Sequence, residues 1–154
     1  MAPEHTSDDV LKIMRKPSFQ LFKKFNQFFV KTNKSSGLNQ QLIPYFISSH
    51  PGSDTEHMAE LAAETREMDF KLEQVQDFTP TPMTVATVIY YSGYHPYTME
   101  KVFTAKDKKN KLGQRLFFFW YKNENRKPIE NKLINIGRND LISKLFQKNP
   151  IKKA

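Results

Sequence analysis

The sequence predicts an α/β protein with parallel strands, followed by a small, basic and mainly helical C-terminal region. In the middle of the chain, helical and strand-like apolar patterns alternate, with connections of only a few residues. The run 42–47 is continuously apolar, as expected for a strand covered on both faces. Residues 1–100 carry 9 Lys and Arg against 12 Asp and Glu, whereas 101–154 carry 15 against 4. We therefore divide the chain into regions 1–93 and 94–154.

The N-terminal part of the chain predicts two helices before the first strand. In segment 6–14, Thr and Ser precede two aspartates and an apolar pattern, which is typical of a helix start. A second helix follows Pro17 and ends at Gly37. Its apolar residues recur at helical spacing and are Leu21, Phe22, Phe25, Phe28 and Phe29. Such stripes normally pack into a core, so we expect core packing here rather than a ligand-binding surface.

The centre of the chain predicts two strands. The first is the run 42–47, although Pro44 cannot donate a hydrogen bond within a ladder. The second is the run 70–78, which alternates apolar and polar residues and meets a Thr-Pro-Thr-Pro loop at 79–82. Residues that precede proline are pushed out of the helical region, so this loop ends the strand. In βα proteins the chemistry gathers on loops at the carboxyl ends of strands.

A helix is predicted after each of these strands. Residues 53–56 form a capping-box pattern for a helix whose inward residues are Met58, Leu61, Ala62, Thr65 and Met68. Thr81 is the expected N-cap of the next helix. Pro82 would then take the first helical position, where its missing N–H costs nothing. Gly93 is expected to end that helix.

The basic region predicts three helices. A basic turn at 106–111 leads into a helix that we expect to include the aromatic run 117–121. Pro128 is expected to begin the next helix and Gly137 to end it. The residues that this helix would turn inward are Leu133, Ile134 and Ile136. A last short helix is expected over 140–146.

The composition excludes several classes of site. The chain has no cysteine, which excludes disulfides, thiolate metal sites, a cysteine nucleophile and an iron–sulfur cluster ligated from within the chain. His50 and His57 are seven residues apart and do not match the spacing of a helical zinc pair, so no metal site is expected. No apolar run approaches the ~20 residues of a membrane span and no signal segment is visible, so we expect a cytoplasmic protein without membrane contact.

Polar side chains fall at or just past the predicted strand ends. They are Glu4, Ser48, Ser49, His50, Gln76, Asp77 and Thr79. A βα site collects its polar groups at the carboxyl ends of parallel strands, so these residues form the candidate site. The alternative is that they cap helices and line turns. Position alone does not decide between the two interpretations.

Three stretches of the sequence carry a resemblance to a known family. PEHTSDDVLKIMRK, at 3–16, resembles the fourth βα segment of radical S-adenosylmethionine (SAM) barrels of the methylthiotransferase and elongator type. IPYFISSHPGSDTEHMAEL, at 43–61, resembles the fifth, and VQDFTPTPMTVATVIYYSGYHPY, at 75–97, resembles the sixth. Together with GRNDLI at 137–142, they are similar to the C-terminal portion of YgiQ-type uncharacterised radical SAM proteins over nearly the whole chain. The resemblance implies a partial (β/α) barrel for 1–93.

The resemblance also implies a role for each strand end. By analogy, Glu4 meets the methionyl or ribose part of SAM. The end of the next strand packs near adenine, and the backbone after the third approaches the adenine edge. The residues that would pack near adenine are Ile47, Ser48 and Ser49. The residues whose backbone would approach the adenine edge are Asp77, Phe78 and Thr79. Such enzymes hold a [4Fe–4S] cluster on a three-cysteine loop, and this chain has no cysteine.

Because the chain lacks the cysteines that hold the cluster, we expect it to be a fragment of a radical SAM enzyme. The chain would contribute loops on the SAM and substrate side, lack the cluster-binding half and be inactive by itself, because cleavage of SAM needs an electron from the cluster. The expected partner is the cysteine-bearing N-terminal half of the barrel. Should no such half exist and the chain be monomeric, it would be a small self-contained α/β domain.

An alternative from a different class is an RNA-binding module without catalysis. The basic residues that would contact phosphates are Lys108, Lys109, Lys111, Arg115 and Arg126, with the aromatic run 117–121 available for base stacking. A basic surface is also a common solubilising feature, and residues along one helix point in several directions. We therefore place this hypothesis below the first.

Overall fold

The computed structural model of the protein describes residues 2–147, and helix accounts for about half of them. The helices and strands are α1 (Asp8–Ile13), α2 (Phe19–Ser35), β1 (Phe46–Ser48), α3 (Thr55–Glu67), β2 (Val75–Asp77), α4 (Val85–Ser92), α5 (Lys108–Phe118), α6 (Asn123–Asn135) and α7 (Asn139–Phe146). The prediction of helices combined with parallel strands is confirmed. The sheet within the described residues has two strands.

The sheet is parallel and extends by one bridge towards the N-terminus. Ile47 lies beside Gln76 and Ser48 beside Asp77 in the register of β1 and β2. On the other side of β1, Glu4 forms a parallel bridge to Phe46, and its carbonyl accepts a hydrogen bond from the Ile47 amide at 2.9 Å. Three chain segments therefore run side by side in one direction, and their carboxyl ends meet at one edge.

Both strands are shorter than the sequence predicts. The runs expected as strands were 42–47 and 70–78, whereas the ladder begins only at Phe46 and Val75. Pro44 lacks an amide hydrogen, which explains why the pairing starts after it. The parallel direction and the position of the strand ends, which decide where the site lies, are as expected.

Helix α3 lies at the centre of the hydrophobic core. Its buried residues are Met58, Ala59, Leu61, Ala62 and Thr65. Helices α5, α6 and α7 all pack on α3, and their buried residues join those of β1 in one continuous apolar cluster. The division at residues 93 and 94 stays a prediction, and this core runs across it. Within residues 2–147, no helix has the length and apolar character that a membrane crossing requires.

Helix α2 departs from the core packing predicted for its apolar stripe. Phe22 is buried as expected, and its ring contacts Phe70 at a centroid distance of 6.2 Å. Leu21, Phe25 and Phe28 are 58%, 39% and 67% exposed. The helix reaches the core through its first turn, so its later turns carry their apolar residues into solvent. The core assignment of these three side chains is therefore wrong within the described chain.

Two helix starts also differ from the predictions. Helix α3 is capped by Asp54, whose side chain accepts from the His57 amide at 3.0 Å, because the Ser53 hydroxyl is engaged in a buried network. Helix α4 is capped by Thr84, whose hydroxyl accepts from the Thr87 amide at 3.2 Å. The expected cap, Thr81, lies in the preceding turn. Gly93 ends α4 as predicted, in the left-handed conformation.

The C-terminal helices are confirmed, with changes at their ends. Helix α5 stops at Phe118, so the aromatic run 117–121 does not lie within one helix. Pro128 lies inside α6 rather than at its start, where it removes one intrahelical hydrogen bond. Leu133 is buried as predicted, but Ile134 and Ile136 are 56% and 39% exposed. Gly137, with a positive φ of 74°, follows the last turn of α6 as expected.

Candidate functional site

The carboxyl ends of the three parallel segments bring most of the predicted site residues to one edge of the sheet. We call this group the strand-end cluster and define it as Glu4, Ile47, Ser48, Ser49, Asp77, Phe78 and Thr79. The Phe78 amide donates to the Ser48 carbonyl at 2.8 Å, which continues the ladder past β2. The predicted association of these residues at one edge thus follows from the register.

Asp77 is the most fully bonded member of the cluster. One carboxylate oxygen accepts from the Ser48 hydroxyl at 2.5 Å, and the other accepts from Arg115 at 3.1 Å. The contact with Arg115 fastens the end of β2 to helix α5. Since both oxygens of Asp77 already have partners, the side chain acts first as a structural link. Arg115 was predicted as a phosphate contact, and no local pattern pairs it with Asp77, which lies 38 residues away.

Glu4 and Ser49 adopt left-handed backbone conformations that are uncommon for residues other than glycine. Their φ angles are 65° and 60°. Four further residues other than glycine have positive φ, in turns that follow helices or in loops: Arg15, Asp69, Met83 and Met99. Glu4 and Ser49 instead stand at the ends of parallel segments. Strained backbone of this kind often occurs at functional sites, so it supports a role for the strand-end cluster.

The side chains of Glu4 and Ser49 differ in whether their polar atoms have partners. The Glu4 carboxylate lies 3.1 Å from the Lys16 ammonium, and the Glu4 side chain is 21% exposed. The Ser49 hydroxyl is buried and has no hydrogen-bond partner among the described residues. An unpaired buried hydroxyl costs free energy, about 1–3 kcal/mol. Ser49 is 0% exposed, so its hydroxyl is an unsatisfied group inside the protein rather than on the open edge.

A buried polar network beneath the cluster joins three distant parts of the chain. The side-chain oxygen of Gln114 accepts from the Ser49 amide at 2.8 Å and from the Ser53 hydroxyl at 3.3 Å, and its amide nitrogen donates to the Ser53 carbonyl at 2.7 Å. His5 lies 3.1 Å from the Ser53 hydroxyl. Sequence reasoning missed Gln114, because a lone glutamine in a basic helix carries no pattern.

The His5–Ser53 pair is not arranged as a base and a nucleophile. The Nδ1 atom of His5 accepts from the amides of Thr6 and Ser7, both at 3.0 Å, so the ring proton resides on Nε2 and is donated to Ser53. Burial, followed by the neighbouring histidines, lowers the pKa of His5 to about 3. His5 is therefore neutral and cannot take a proton from Ser53 through Nε2, which indicates a structural role.

His50 follows Ser49 and supports the third strand end. Its Nδ1 atom donates to the Pro51 carbonyl at 2.9 Å, and its ring meets the Phe78 ring edge-on at 4.9 Å. Burial lowers the pKa of His50, although the Pro51 carbonyl and Glu4 act in the opposite direction. A neutral His50 thus holds Phe78, and Tyr90 packs against the same ring at 5.6 Å.

The donor set at the cluster suits an organic ligand better than a metal ion. Within residues 2–147, His, Asp and Glu side chains form no group of three or more that could hold a metal. The chain contains no cysteine for a cluster. What the edge exposes is part of the Glu4 carboxylate and partly buried apolar surface at Ile47 and Phe78.

The predicted RNA-contacting residues divide into two groups. Lys108, Lys109 and Arg115 line one groove of about 830 Å³ between α5 and α6, which we call the α5–α6 groove. Lys111 lies instead over the Tyr90 ring, and Arg126 pairs with Glu130. Two further lysines that sequence reasoning did not select line the same groove, Lys122 and Lys132.

Comparison with known proteins identifies a family model and several relatives that match this chain. Residues 73–149 match the family model described as "Domain of unknown function (DUF3362)". The chain is 65% identical over 148 residues to a UPF0313 protein of Bacteroides thetaiotaomicron and 60% identical over 148 residues to one of Porphyromonas gingivalis. It is 42% identical over 142 residues to a UPF0313 protein of Methanocella arvoryzae.

These matches cover 96%, 96% and 92% of this chain, but only 24%, 23% and 24% of the respective relatives. The chain thus spans about a quarter of the length of the curated relatives that it matches. The family resemblance predicted from the sequence is confirmed by these matches. No solved structure matches the chain.

Proposed function

This chain belongs to the DUF3362 family, and we propose that it forms one side of the SAM site of a longer radical SAM protein. The observation that carries the proposal is the strand register, which gathers Glu4, Ser48 and Asp77 at one edge of three parallel segments. Open and closed parallel α/β folds bind ligands at this edge. In the longer protein, the three segments would belong to a partial (β/α) barrel.

The residues present fit the groups that SAM carries. The Glu4 carboxylate can accept hydrogen bonds from an ammonium group or from ribose hydroxyls, and Lys16 keeps it in place. The Ser49 hydroxyl is buried without a partner among the described residues, so it could bond a polar atom of the ligand only after a local rearrangement. Ile47 is partly exposed and offers apolar surface next to it, as an adenine ring requires.

The iron–sulfur cluster has no ligands in this sequence, which lacks cysteine. When bound, SAM and the cluster supply the radical chemistry of such enzymes. The role of this chain is then to bind and orient SAM and to shape the substrate side of the site. The cluster would be held by the part of the longer protein that this chain does not include.

The exposed face of α2 supports the existence of a covering partner. Leu21, Phe25 and Phe28 form an apolar face that would be costly in water. We propose that the cysteine-bearing part of the longer protein covers this face. The relatives are about four times as long as the matched segment, so their sequence leaves ample chain for this purpose.

The proposal can be tested in a chimera in which this chain replaces the matching stretch of the Bacteroides thetaiotaomicron UPF0313 protein. We expect Glu4→Gln to weaken SAM binding about tenfold, because a charge-assisted hydrogen bond becomes neutral. Equilibrium dialysis with labelled SAM measures this change. Glu124→Gln, an exposed carboxylate on α6, is the matched control and is expected to leave the affinity unchanged.

The absorbance of the reconstituted cluster serves as the second reading of the same samples. We expect it to be equal in the chimera and both variants, because this chain does not ligate the cluster. A Glu4→Gln chimera that binds SAM as tightly as the parent chimera would refute the role of Glu4. A chimera that carries the cluster but binds no SAM would refute the proposed function.

A further inference from the structure

The α5–α6 groove has an apolar floor and is built from the basic C-terminal region of the sequence. Leu112 is 51% exposed, and Leu116 and Phe119 are partly buried against the core. Together these side chains form the floor of the groove. Apolar surface held open in a concave site is unfavourable in water and is typical of a surface that binds a partner.

The rim of the groove is strongly cationic. It carries Lys108, Lys109, Arg115, Lys122 and Lys132, against the single acid Glu124. Arg115 is paired with Asp77, whereas the four lysines make no ion pair within 4.0 Å among residues 2–147. A complementary partner must therefore bring acidic groups to the rim and an apolar surface to the floor.

Gly113 leaves room for the Lys132 side chain beside α5. A Cβ atom at this position would lie 2.6 Å from the Lys132 ammonium and 3.1 Å from its Cε atom. Glycine within a helix costs about 1 kcal/mol relative to alanine. Its presence here allows the Lys132 side chain to lie against α5 at the rim of the groove.

The dimensions and the ends of the groove suit a short helix. Helix α5 has 11 residues, and at 1.5 Å per residue it is about 16 Å long, or about three helical turns. One end of the groove lies at the first turn of α5, and the other lies at the first turn of α6. Lysines stand at both ends, Lys108 and Lys109 at one and Lys122 at the other, so both ends of the groove favour acidic groups.

The floor suits a peptide better than single-stranded RNA. In proteins that bind single-stranded RNA, the bases stack on aromatic side chains, and successive bases need successive rings. The floor has one aromatic ring, that of Phe119, and the Lys122 ammonium already lies 4.8 Å from its centroid. Leu112 and Leu116 provide the rest of the floor, and aliphatic side chains are the usual partners of the apolar stripe of an amphipathic helix.

We propose that the α5–α6 groove is a docking site for an acidic amphipathic helix of a partner protein. The apolar stripe of that helix would lie on Leu112, Leu116 and Phe119, and its carboxylates would contact the lysines of the rim. This site is separate from the strand-end cluster, and the inference does not depend on the proposed binding of SAM.

The test uses two fluorescent probes with the 154-residue chain, measured by anisotropy at low ionic strength. One probe is a synthetic helix of about twelve residues with leucines at helical spacing and glutamates towards both ends. The other is an oligouridine of similar length. Two variants address the two parts of the site. The rim variant combines Lys108→Glu, Lys109→Glu and Lys132→Glu, and the floor variant is Leu112→Gln.

A matched control keeps the total charge change but lies elsewhere, namely Lys24→Glu, Lys31→Glu and Lys71→Glu. We expect the peptide to bind the parent chain, the rim variant to lose about tenfold or more in affinity, and the floor variant to lose about fivefold. The control should bind the peptide as the parent does. Circular dichroism melting of each variant establishes that it is folded.

Two results would overturn the proposal. The first is the absence of peptide binding to the folded parent chain at about 1 mM peptide. The second is binding of oligouridine in preference to the peptide, weakened by the rim variant and unaffected by Leu112→Gln. That result would assign the groove to nucleic acid, because phosphate contacts need the cations but not the apolar floor.

Discussion

The two sides of helix α5 have opposite characters. One side carries Gln114, Phe117 and Phe118, which are buried against α3 and the strand-end cluster, and the hydrogen-bonding groups of Gln114 have partners. The other side carries Lys108, Lys109 and Leu112, which are exposed along the α5–α6 groove. One helix thus fastens the fold with one side and leaves its other side available for binding.

The largest effect is expected on the buried side. Gln114→Leu leaves the Ser49 amide and the Ser53 carbonyl without partners, and each unsatisfied buried group costs about 1–3 kcal/mol. We expect the free energy of unfolding to fall by about 3 kcal/mol in a urea titration. Gln27→Leu, an exposed glutamine on α2, is the control and should change it little. Equal values for the two variants would contradict the structural role of Gln114.

His5 makes the buried polar network around Gln114 and Ser53 sensitive to pH. Its pKa is lowered from 6.5 to about 3 in the folded chain, so the unfolded chain binds a proton first as the pH falls. Its contribution to stability is therefore complete above pH 6.5 and is lost as the pH falls towards 3, at up to about 1.4 kcal/mol per pH unit.

The measurement is the free energy of unfolding at several pH values between 7 and about 4.5, for the parent chain and His5→Gln. We expect the variant to be less stable at neutral pH but to show a shallower decline. His95→Gln, outside the network, should keep the slope of the parent. A slope unchanged by His5→Gln would show that other groups cause the decline.

Arg115 stands between the two sides, because it pairs with Asp77 and also lines the groove. Asp77→Asn removes the charge of the pair, whose side chains are 43% and 32% exposed. Solvent screens a pair with this exposure, so we expect a loss of only about 1 kcal/mol, which high salt should reduce further. Urea titrations at low and high ionic strength measure both effects, and a loss independent of salt would argue against an electrostatic role.

The smallest effect on stability is expected on the open side. Leu112→Gln alters an exposed position on a helix, and we expect the free energy of unfolding to change by less than about 0.5 kcal/mol. Thermal and urea unfolding of this variant beside Gln114→Leu therefore sharpen the contrast between the sides. A loss above about 2 kcal/mol would show that Leu112 belongs to the core rather than to a binding surface.

The sequence predicted the helices and strands that the spacing of apolar residues and the helix-ending glycines specify. Gly93 and Gly137 end their helices as expected, and the order of strands and helices places the strand-end cluster at one edge. Sequence reasoning was less successful where a local pattern has several solutions. Thr81 and Thr84 are both good caps, but Met83 between them has a left-handed backbone with a φ of 65°, so the helix begins only after Thr84.

Other features depend on contacts that no local pattern encodes. The exposure of Phe25 and Phe28 follows from what the rest of the described chain leaves uncovered, and helical spacing cannot reveal this. The role of Gln114 depends on Ser49 and Ser53, which lie more than 60 residues away. The packing of α5 beside α6 brings the lysines of the groove together, and the spacing of basic residues along the sequence does not encode this packing.

The most direct test of the central proposal is hydrogen–deuterium exchange on the chimeric UPF0313 protein, with and without SAM. We predict slower exchange on addition of SAM in peptides that cover 46–50 and 77–80, and no change in peptides that cover 108–132. That result would place SAM at the strand-end cluster and leave the groove free for another partner. Unchanged exchange at both strand ends, in a chimera that binds SAM, would contradict the account.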